Sequence, residues 1–413
     1  MKKRFIFGVL AFCALAAICT ASKHEPNAKK IKVKPPIEYM PVPSFVNETA
    51  NYIHYKEQLS PFFEKLRQLK NGEISRLHIL HIGDSHLQAG FLPGELRYLL
   101  QATFGNAGRG LVFPYQIAKT NAPFDIRTES NIEWECSRNI NINHDVPIGV
   151  CGYSMRTAKS GFTVDIQLKN HEDHFNKVSI LGNNQEEAFN IELWGEPESV
   201  LAIQKTPFKA GSCFLLDKPR TGMTVSGKKV VEGAAYFTMQ GLLLENTENK
   251  GILYSAAGVN GASYYSYNRS EQFIEQLTAL EPDLIIVSLG TNEAADANMS
   301  LPFIQKQVMG FLGNLKKNSS CKSILIVTPP DIYLRSRYKT KHSMELAEMM
   351  HDVAKSYGGI AIWDFYEVMG GYGSVNSWFN ANLAANDRIH YSIEGYKLQA
   401  QLLFKAMMKA FEE

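Results

Sequence analysis

Residues 79–90 read "ILHIGDSHLQAG", and this stretch decides the fold class. An apolar run over residues 77–82 predicts a buried strand, which stops abruptly at Gly-Asp-Ser-His (83–86). A helical pattern opens near Pro93 and extends to about Phe104, and proline is well tolerated in a first helical turn. A strand that ends on small and polar residues before a helix is typical of α/β sheets, in which ligands bind beyond the carboxyl ends of the strands.

The same alternation returns in the second half of the chain. Buried strands are predicted within "ILYSAAGVNGA" (252–262), "DLIIVSLGTN" (283–292), "KSILIVTPP" (322–330) and "GIAIWDF" (359–365). Helical periodicity covers about 49–70, 270–280, 302–317, 341–357 and 393–411. Strands followed by helices of this length predict a doubly wound parallel sheet with helices on both faces.

A different pattern interrupts this alternation from about 117 to 249. Short stretches such as "FTVDIQL" (162–168) and "FNIELWG" (189–195) alternate in polarity and are separated by turn residues. This pattern predicts an all-β sandwich or barrel. We therefore expect a discontinuous α/β domain, 47–116 and 250–413, with a β-rich domain inserted at 117–249.

The N-terminus has the features of an export signal. Lys2, Lys3 and Arg4 precede an apolar segment at 5–18, which is too short for a permanent membrane span. We expect a signal peptide at 1–21, a Lys- and Pro-rich linker at 22–46, and export to the periplasm. Lipidation at Cys19, which would anchor the protein to a membrane, is an alternative that the sequence leaves open.

The composition limits the kinds of partner. The chain has 413 residues, of which 45% are hydrophobic and 20% charged, as in globular proteins. The net charge is +2 and falls to about −1 once the three basic residues of the signal are removed, so nucleic acid is not expected as a partner.

The sequence indicates neither a cofactor nor a metal ion. "HEDH" (171–174) is better explained as a solvated loop than as a metal site. Four cysteines follow the predicted signal peptide, namely Cys136, Cys151, Cys213 and Cys321. Either Cys136 and Cys151 form a disulfide, or all four are free thiols. The oligomeric state is not predictable.

Polar residues that follow the predicted strands can be combined into one catalytic arrangement. Serine is a weak nucleophile unless a neighbouring base takes its proton. Ser85 follows the first strand, and His390, in the segment before the last helix, could be that base. Asp387 lies three residues before His390, so a short turn could bring its carboxylate to the imidazole Nδ1. These three residues predict nucleophilic catalysis on an ester.

Attack on an ester also needs hydrogen-bond donors for the negative charge that develops on oxygen. The backbone N–H of Ser85, the backbone N–H of Gly261 and the side-chain amide of Asn292 could supply three donors. Glycine at position 261 would let the backbone approach the substrate closely. The prediction is therefore a serine ester hydrolase with an oxyanion hole.

These residues, in this order, resemble the SGNH hydrolase superfamily, also called GDSL esterases. Its four markers correspond to Ser85, Gly261, Asn292 and His390, with Asp387 completing the triad, and the resemblance implies a flavodoxin-like SGNH fold. The usual leucine after the serine is replaced by His86, and 176 residues separate Gly261 from Ser85.

Several segments are similar to bacterial periplasmic peptidoglycan O-acetylesterases, namely "IGDSHLQAG", "FGNAGRGLVFP", "GVNGAS", "SLGTNEA" and "DRIHYSIEGY". That branch has a β-rich insertion similar to carbohydrate-binding modules. The resemblance implies removal of acetyl groups from the C6 hydroxyl of muramoyl residues, with O-acetylated peptidoglycan or a related polysaccharide as partner. The alternatives are an acetylxylan or other polysaccharide esterase, a lipase, an acetyl transferase, or a wall-binding protein with little activity.

Some residues have two interpretations. His86 could line the substrate pocket or pack beside the turn, and Glu293 could orient the loop of Asn292 or belong to the pocket. Asp84 is expected to hold the turn around Ser85, and Arg109 either contacts the glycan or lies on the surface. Further expectations are structural roles for His78 and His81, and either a core or a sugar-stacking role for Trp134, Trp194, Tyr153 and Tyr236.

Overall fold

The computed structural model describes residues 37–170, 172–182, 188–195, 199–233 and 235–413. Residues 37–413 form one compact unit. The predicted signal peptide, Cys19, the linker up to residue 36 and His171 of the "HEDH" segment lie outside the described residues. In the part of the chain that the structure describes, no helix is long and apolar enough to cross a membrane.

The centre of the fold is a six-stranded sheet with five parallel strands and one antiparallel edge strand. Numbered along the chain, the five parallel strands lie in the order 2-1-3-4-5, which is the flavodoxin-like arrangement. The point at which the order reverses lies between the first and third of these strands, and ligands bind at such a point. From edge to edge the strands are Ile53–His54, Ile360–Trp363, Ile324–Val327, Leu284–Ser288, Arg76–Gly83 and Gly251–Gly258.

Helices cover both faces of this sheet. In the first strand Leu77 and Ile79 pack into one hydrophobic core, while Leu80 and Ile82 pack into the other. Such strands are apolar on both sides, and the resulting continuous apolar runs are what indicated a parallel sheet in the sequence. The helices are Ser60–Asn71, Ser85–Gln88, Phe91–Phe104, Tyr264–Asn268, Phe273–Leu280, Thr291–Ala294, Leu301–Asn318, His342–Tyr357, Phe365–Val368, Val375–Asn380 and Ile393–Glu412.

The helix predicted at 49–70 is wrong in its first half. Short 3-10 turns at Glu48–Ala50 and Lys56–Leu59 flank the edge strand, and the helix begins only at Ser60. Tyr55 has a positive φ of 56°, which an α-helix does not accommodate. Part of the predicted linker is also wrong, because residues 37–46 pack against the core of the body.

The segment between Phe104 and Tyr264 is strand-rich, as the sequence predicted. Every regular element described there is a strand. Two five-stranded antiparallel sheets consist, in spatial order, of Ser199–Val200, Phe189–Gly195, Gly222–Lys229, Gly161–Leu168 and Ile126–Ser130, and of Ala202–Phe208, Gly211–Arg220, Phe175–Leu181, Gly241–Glu245 and Gly110–Val112. A three-stranded sheet contains Phe237–Met239, Tyr153–Thr157 and Glu135–Arg138, and a hairpin, Tyr333–Leu334 with Tyr338–Lys339, lies later in the chain.

This β-rich segment shares a core with the central sheet. Phe162 and Val164 belong to the same hydrophobic cluster as Leu80 and Ile82. Strand Gly110–Val112, which lies before the predicted insertion, pairs with Gly241–Glu245. The predicted domain boundaries at 116 and 250 therefore stay a prediction.

Arg109 is not on the surface, so that interpretation of it is wrong. It is buried, and its Nε donates to Asp125 Oδ2 at 2.8 Å. Arg97 donates to the same oxygen at 2.7 Å. The two guanidinium groups hold the pKa of the Asp125 carboxyl well below its usual range, although burial alone would raise it. This cluster joins helix Phe91–Phe104 to the β-rich segment.

The disulfide that we considered between Cys136 and Cys151 is not formed. All four described cysteines are free thiols, with Cys136 exposed and Cys151 buried. Burial raises the pKa of the Cys151 thiol to about 12, so this thiol is protonated at neutral pH.

Candidate active site

Ser85 lies at the switch point of the central sheet, directly after the first strand. It begins the one-turn helix Ser85–Gln88, and the buried Asp84 caps that helix by accepting the His86 N–H at 3.0 Å. Residue 83 is glycine because a Cβ there would lie 2.8 Å from the Ser288 carbonyl oxygen of the neighbouring strand. The tight strand-to-helix turn thus holds the partly exposed Ser85 at the edge of the sheet. Asp84 holds this turn by its hydrogen bond to His86 N–H, as the sequence predicted.

The structure brings His390 and Asp387 to this serine. Ser85 Oγ lies 2.9 Å from His390 Nε2, and His390 Nδ1 lies 2.6 Å from Asp387 Oδ2. Asp387 Oδ1 also accepts the backbone N–H groups of Ile389 and His390, both at 2.9 Å, so the short turn orients the carboxylate. The three predicted residues therefore form one hydrogen-bonded chain, and their catalytic role stays a prediction.

Electrostatics favour a basic His390. The hydrogen bond that His390 Nδ1–H donates to Asp387 raises the pKa of His390, against the opposing effect of burial. The same hydrogen bond holds the pKa of Asp387 well below its usual range, so the carboxylate is ionised at neutral pH. Such an arrangement can take a proton from the serine hydroxyl and stabilise the imidazolium that forms.

We expect Asp387→Asn to lower turnover by on the order of 10³- to 10⁴-fold and to move the acidic limb of the pH profile to lower pH. The base works only when neutral, so activity is lost as pH falls through the pKa of His390. In the wild type that pKa lies above the ordinary value of 6.5 because of Asp387. Measurement of kcat against pH for an activated acetyl ester checks both effects, and an unchanged acidic limb would contradict this role of Asp387.

The segments that carry Gly261 and Asn292 contact the residues on either side of Ser85. Gly261 has φ of +81° and is exposed, and the nearest atom to a Cβ built there would be Ile140 Cδ1 at 3.5 Å. Asn292 Nδ2 donates to the Ala262 carbonyl at 2.8 Å and lies 3.5 Å from Asp84 Oδ2. Within the described residues no acceptor pairs with the backbone N–H of Ser85 or of Gly261. Both N–H groups can therefore bind a ligand oxygen.

Asn292→Ala is expected to lower kcat by on the order of 10²- to 10³-fold, with a much smaller effect on KM. The amide would stabilise charge that exists only in the transition state, so its loss affects turnover more than binding. Asn298, an exposed residue of the same loop, provides the control, and Asn298→Ala should leave kcat within a few-fold of wild type. Equal kinetics for the two variants would remove Asn292 from the oxyanion hole.

His86 is enclosed beside the triad. It is buried, its Nδ1 lies 3.1 Å from the Tyr396 hydroxyl, and its ring centroid is 5.3 Å from that of His390. Burial lowers the pKa of His86 to about 3, so the ring is uncharged beside His390. The packing interpretation of His86 is therefore favoured.

Glu293 is likewise turned inward. The residue is partly exposed, but its carboxyl group is enclosed, and Oε1 accepts the backbone N–H of Tyr264 at 2.8 Å. It links the Asn292 helix to the segment that follows Gly261. This contact favours the interpretation that Glu293 orients the loop of Asn292 rather than belonging to the pocket.

The sequence analysis missed two residues near the site. Gln88, one turn after Ser85, is buried, and its Oε1 accepts the backbone N–H of Asn260 at 2.7 Å, next to Gly261. Ile140, from the β-rich segment, lies over Gly261, and nothing local to residue 140 could have indicated that.

Other histidines near the strands are structural, as predicted for His78 and His81. His78 Nε2 lies 2.8 Å from Ser255 Oγ, and His81 Nε2 lies 2.7 Å from Ser288 Oγ. Burial lowers the pKa of His78 to about 4 and that of His81 to about 3. Both rings are buried in the core, and neither pairs with a carboxylate through its other nitrogen.

The aromatic residues of the β-rich segment are placed differently from one another. Tyr153 is buried, and Trp134 packs edge-on against Phe162 at 4.9 Å between centroids, so both belong to the core or its margin. Tyr236 is exposed beneath Arg156, and Trp194 is partly exposed on a sheet face.

Across the described residues, no group of three or more His, Cys, Asp or Glu side chains is arranged to hold a metal ion.

Comparisons with known proteins agree with this geometry. The profile of the GDSL-like lipase/acylhydrolase family matches residues 227–398, which include Gly261, Asn292, Asp387 and His390 but not Ser85. No curated relative matches significantly.

Among solved structures, one titled "Peptidoglycan O-acetylesterase in action" matches with a TM-score of 0.69 and 22% identity, over 89% of this chain and 98% of the other. A lipase/acylhydrolase from Enterococcus faecalis matches with a TM-score of 0.31 and 19% identity, over 39% of this chain and 77% of the other. An acetylxylan esterase from Geobacillus stearothermophilus matches with a TM-score of 0.29 and 17% identity, over 38% of this chain and 73% of the other.

The first of these structures shares its fold with nearly the whole chain, and the family profile covers three of the four marker residues. The fourth marker, Ser85, lies within hydrogen-bond distance of His390. Residues 227–398 therefore resemble the GDSL-like lipase/acylhydrolase family, and the protein is a carboxylic ester hydrolase.

Proposed function

We propose that the protein removes O-acetyl groups from the muramoyl C6 position of cell-wall peptidoglycan through an acetyl-enzyme. The observation that carries the chemistry is the Ser85–His390–Asp387 hydrogen-bonded chain at the switch point. The substrate class is supported by the fold shared, over 89% of this chain, with a structure titled as a peptidoglycan O-acetylesterase.

The proposed reaction has two halves. Ser85 Oγ attacks the acetyl carbonyl carbon while His390 Nε2 takes the hydroxyl proton, and the oxyanion is bound by Ser85 N–H, Gly261 N–H and the Asn292 amide. Collapse breaks the bond to the sugar oxygen, which leaves with the proton from His390. A water molecule then attacks the acetyl-enzyme by the same route, which releases acetate and restores Ser85.

Acetate release from purified O-acetylated peptidoglycan, compared with acetylated xylan, tests the proposed substrate. We expect higher kcat/KM on peptidoglycan, with Ser85→Ala as the inactive control. Preference for acetylated xylan would favour the alternative polysaccharide esterase instead.

Chain-length preference separates an acetylesterase from a lipase. A lipase needs a long apolar channel for its acyl chain, whereas an acetyl group needs only a small pocket. We expect nitrophenyl acetate to be hydrolysed faster than the corresponding long-chain esters. Faster hydrolysis of the long-chain esters would contradict the proposed function.

A second candidate function is binding of the cell wall by the β-rich segment. It is favoured by the polar and aromatic side chains on one face of a sheet in that segment. Glu129, Asp165, Thr224 and Trp194 lie side by side on neighbouring strands, at positions that alternate with buried residues. Polar side chains around a partly exposed indole suit the polar edges and apolar faces of sugar rings. We therefore propose that this segment acts as a carbohydrate-binding module.

Co-sedimentation of full-length Ser85→Ala protein with insoluble peptidoglycan tests this binding. Addition of Trp194→Ala should reduce the bound fraction, whereas Tyr236→Ala, which removes an exposed aromatic just before the strand Phe237–Met239 of a different sheet, should not. Equal sedimentation of all the proteins would contradict a role for the Trp194 face.

We also propose that the protein is exported to the periplasm, from the basic and apolar pattern of its first residues. Mass spectrometry of the mature N-terminus distinguishes cleavage after residue 21 from lipidated Cys19. An intact N-terminus on protein from the cell envelope would contradict both forms of processing.

A further inference from the structure

Hydrogen bonds hold the segment that carries Gly261 to its neighbours, and three of them come from the elements that carry Ser85 and Asn292. Gln88 Oε1 accepts the N–H of Asn260, the Asn292 amide donates to the Ala262 carbonyl, and Glu293 Oε1 accepts the N–H of Tyr264. The last two contacts come from consecutive residues, and each is 2.8 Å long. The relative position of the Gly261 and Asn292 donors therefore depends on the Glu293 carboxyl group.

The surroundings of Glu293 disfavour a negative charge. Its Oε2 is buried and has no hydrogen-bond partner among the described residues. Burial, assisted by the nearby Asp84 charge, raises the pKa of Glu293 to about 7, although the N–H groups of Tyr264 and Gly290 oppose this shift. Asp84 is also buried, and burial raises the pKa of that carboxyl to about 6.

Two further titratable groups lie on the elements packed around Glu293. Tyr264 has a buried hydroxyl, and the charges of Glu293 and Asp84 contribute to raising its pKa beyond the effect of burial. His342, at the start of helix His342–Tyr357, has its Nδ1 2.9 Å from the Ala294 carbonyl oxygen. Neither group forms an ion pair with Glu293.

We propose that Glu293 is a positioning residue that fixes the Gly261 segment against the Asn292 helix and supports the oxyanion only while its carboxyl group is protonated. The inference rests on the proposed function, because it assumes that Gly261 and Asn292 bind the oxyanion. A carboxylate beside these donors would repel the negative charge that develops on the substrate oxygen, and a site shielded from water weakens that repulsion little. Activity should therefore fall as pH rises through the titration of Glu293.

Two variants separate the hydrogen bond from the charge. Glu293→Gln retains an oxygen that can accept the Tyr264 N–H and cannot ionise. It should keep kcat within about threefold of wild type at the optimum and lose the alkaline decline. Glu293→Ala removes the acceptor and should lower kcat by on the order of 10- to 100-fold at all pH values, with KM nearly unchanged. The control is Asp296→Asn, which removes an exposed carboxylate from the same loop and should behave as wild type.

The experiment measures nitrophenyl acetate hydrolysis from pH about 5 to about 10, with thermal unfolding of each variant as a folding check. Wild-type kcat should rise as His390 loses its proton and fall as Glu293 loses its own. An alkaline limb unchanged in Glu293→Gln, or no alkaline limb in the wild type, would overturn the proposal, and so would wild-type kcat in Glu293→Ala. If Glu293→Ala does not fold, the profile of Glu293→Gln decides alone. A wild-type protein that hydrolyses no ester would instead refute the proposed function.

Discussion

Ser85→Ala is expected to lower kcat for acetyl ester hydrolysis by on the order of 10⁴-fold or more while the protein remains folded. The Ser85 hydroxyl is placed to form the acetyl-enzyme, since its Oγ lies 2.9 Å from the His390 base. The oxyanion donors would remain, so a small residual rate over water is expected. Acetate release and thermal unfolding, measured on the same preparation, check the two halves of this prediction.

A buried serine–histidine pair provides the matched control. Ser255 Oγ lies 2.8 Å from His78 Nε2, in the core below the site. Ser255→Ala leaves a buried imidazole nitrogen without its partner, so we expect a loss of about 1–3 kcal/mol in the free energy of unfolding. Its kcat should stay near the wild-type value. Wild-type activity in Ser85→Ala would contradict the proposed mechanism.

His390→Ala should reduce kcat to a similar extent, because Ser85 would lose the base that takes its proton. The loss should not be additive with that of Ser85→Ala, since the two residues act as one unit. The double variant should therefore be about as active as either single variant. Acetate release from the three variants under identical conditions checks this expectation.

The control for His390 is a second Asp–His pair, between helix His342–Tyr357 and the residue that follows strand Ile360–Trp363. His351 Nε2 lies 2.9 Å from Asp364 Oδ2, beyond the strand Ile360–Trp363. No serine hydroxyl contacts His351 in the described part of the chain, so His351→Ala should lose stability but keep turnover. A loss of turnover in His351→Ala as large as in His390→Ala would indicate a general effect of imidazole removal rather than loss of the base.

Much of the fold and of the site could be predicted from local patterns. The apolar runs before Ser85, Gly261 and Asn292 are strands because a sheet covered on both faces must be apolar on both sides. The spacing of Asp387 and His390 predicts a turn that joins them, since three residues suffice to bring a carboxylate to Nδ1. The helix at 49–70 was misjudged because aromatic spacing alone does not reveal a positive φ at Tyr55.

Other parts could not be predicted, because they depend on contacts between distant segments. His86 could not be placed between a pocket and the packing beside the turn, because Tyr396, which contacts it, lies 310 residues later. Arg109 was expected near the surface or a glycan, but Asp125 pairs with it in the interior. Whether a polar side chain is buried or exposed depends on the hydrogen-bond or ion-pair partner that it finds in the folded protein. For His86 that partner is far away in the sequence.

By itself the sequence determined the succession of strands and helices, the β-rich interruption, and the identity of the serine, histidine and aspartate at the ends of strands and turns. These features follow from side-chain periodicity and turn chemistry, which act over a few residues. Only the tertiary structure decided that Ser85 Oγ lies 2.9 Å from His390 Nε2, that Ile140 of the β-rich segment lies over Gly261, and that the Glu293 carboxyl group is enclosed. The physical reason is that packing sets distances and burial across hundreds of residues, and no local pattern records either quantity.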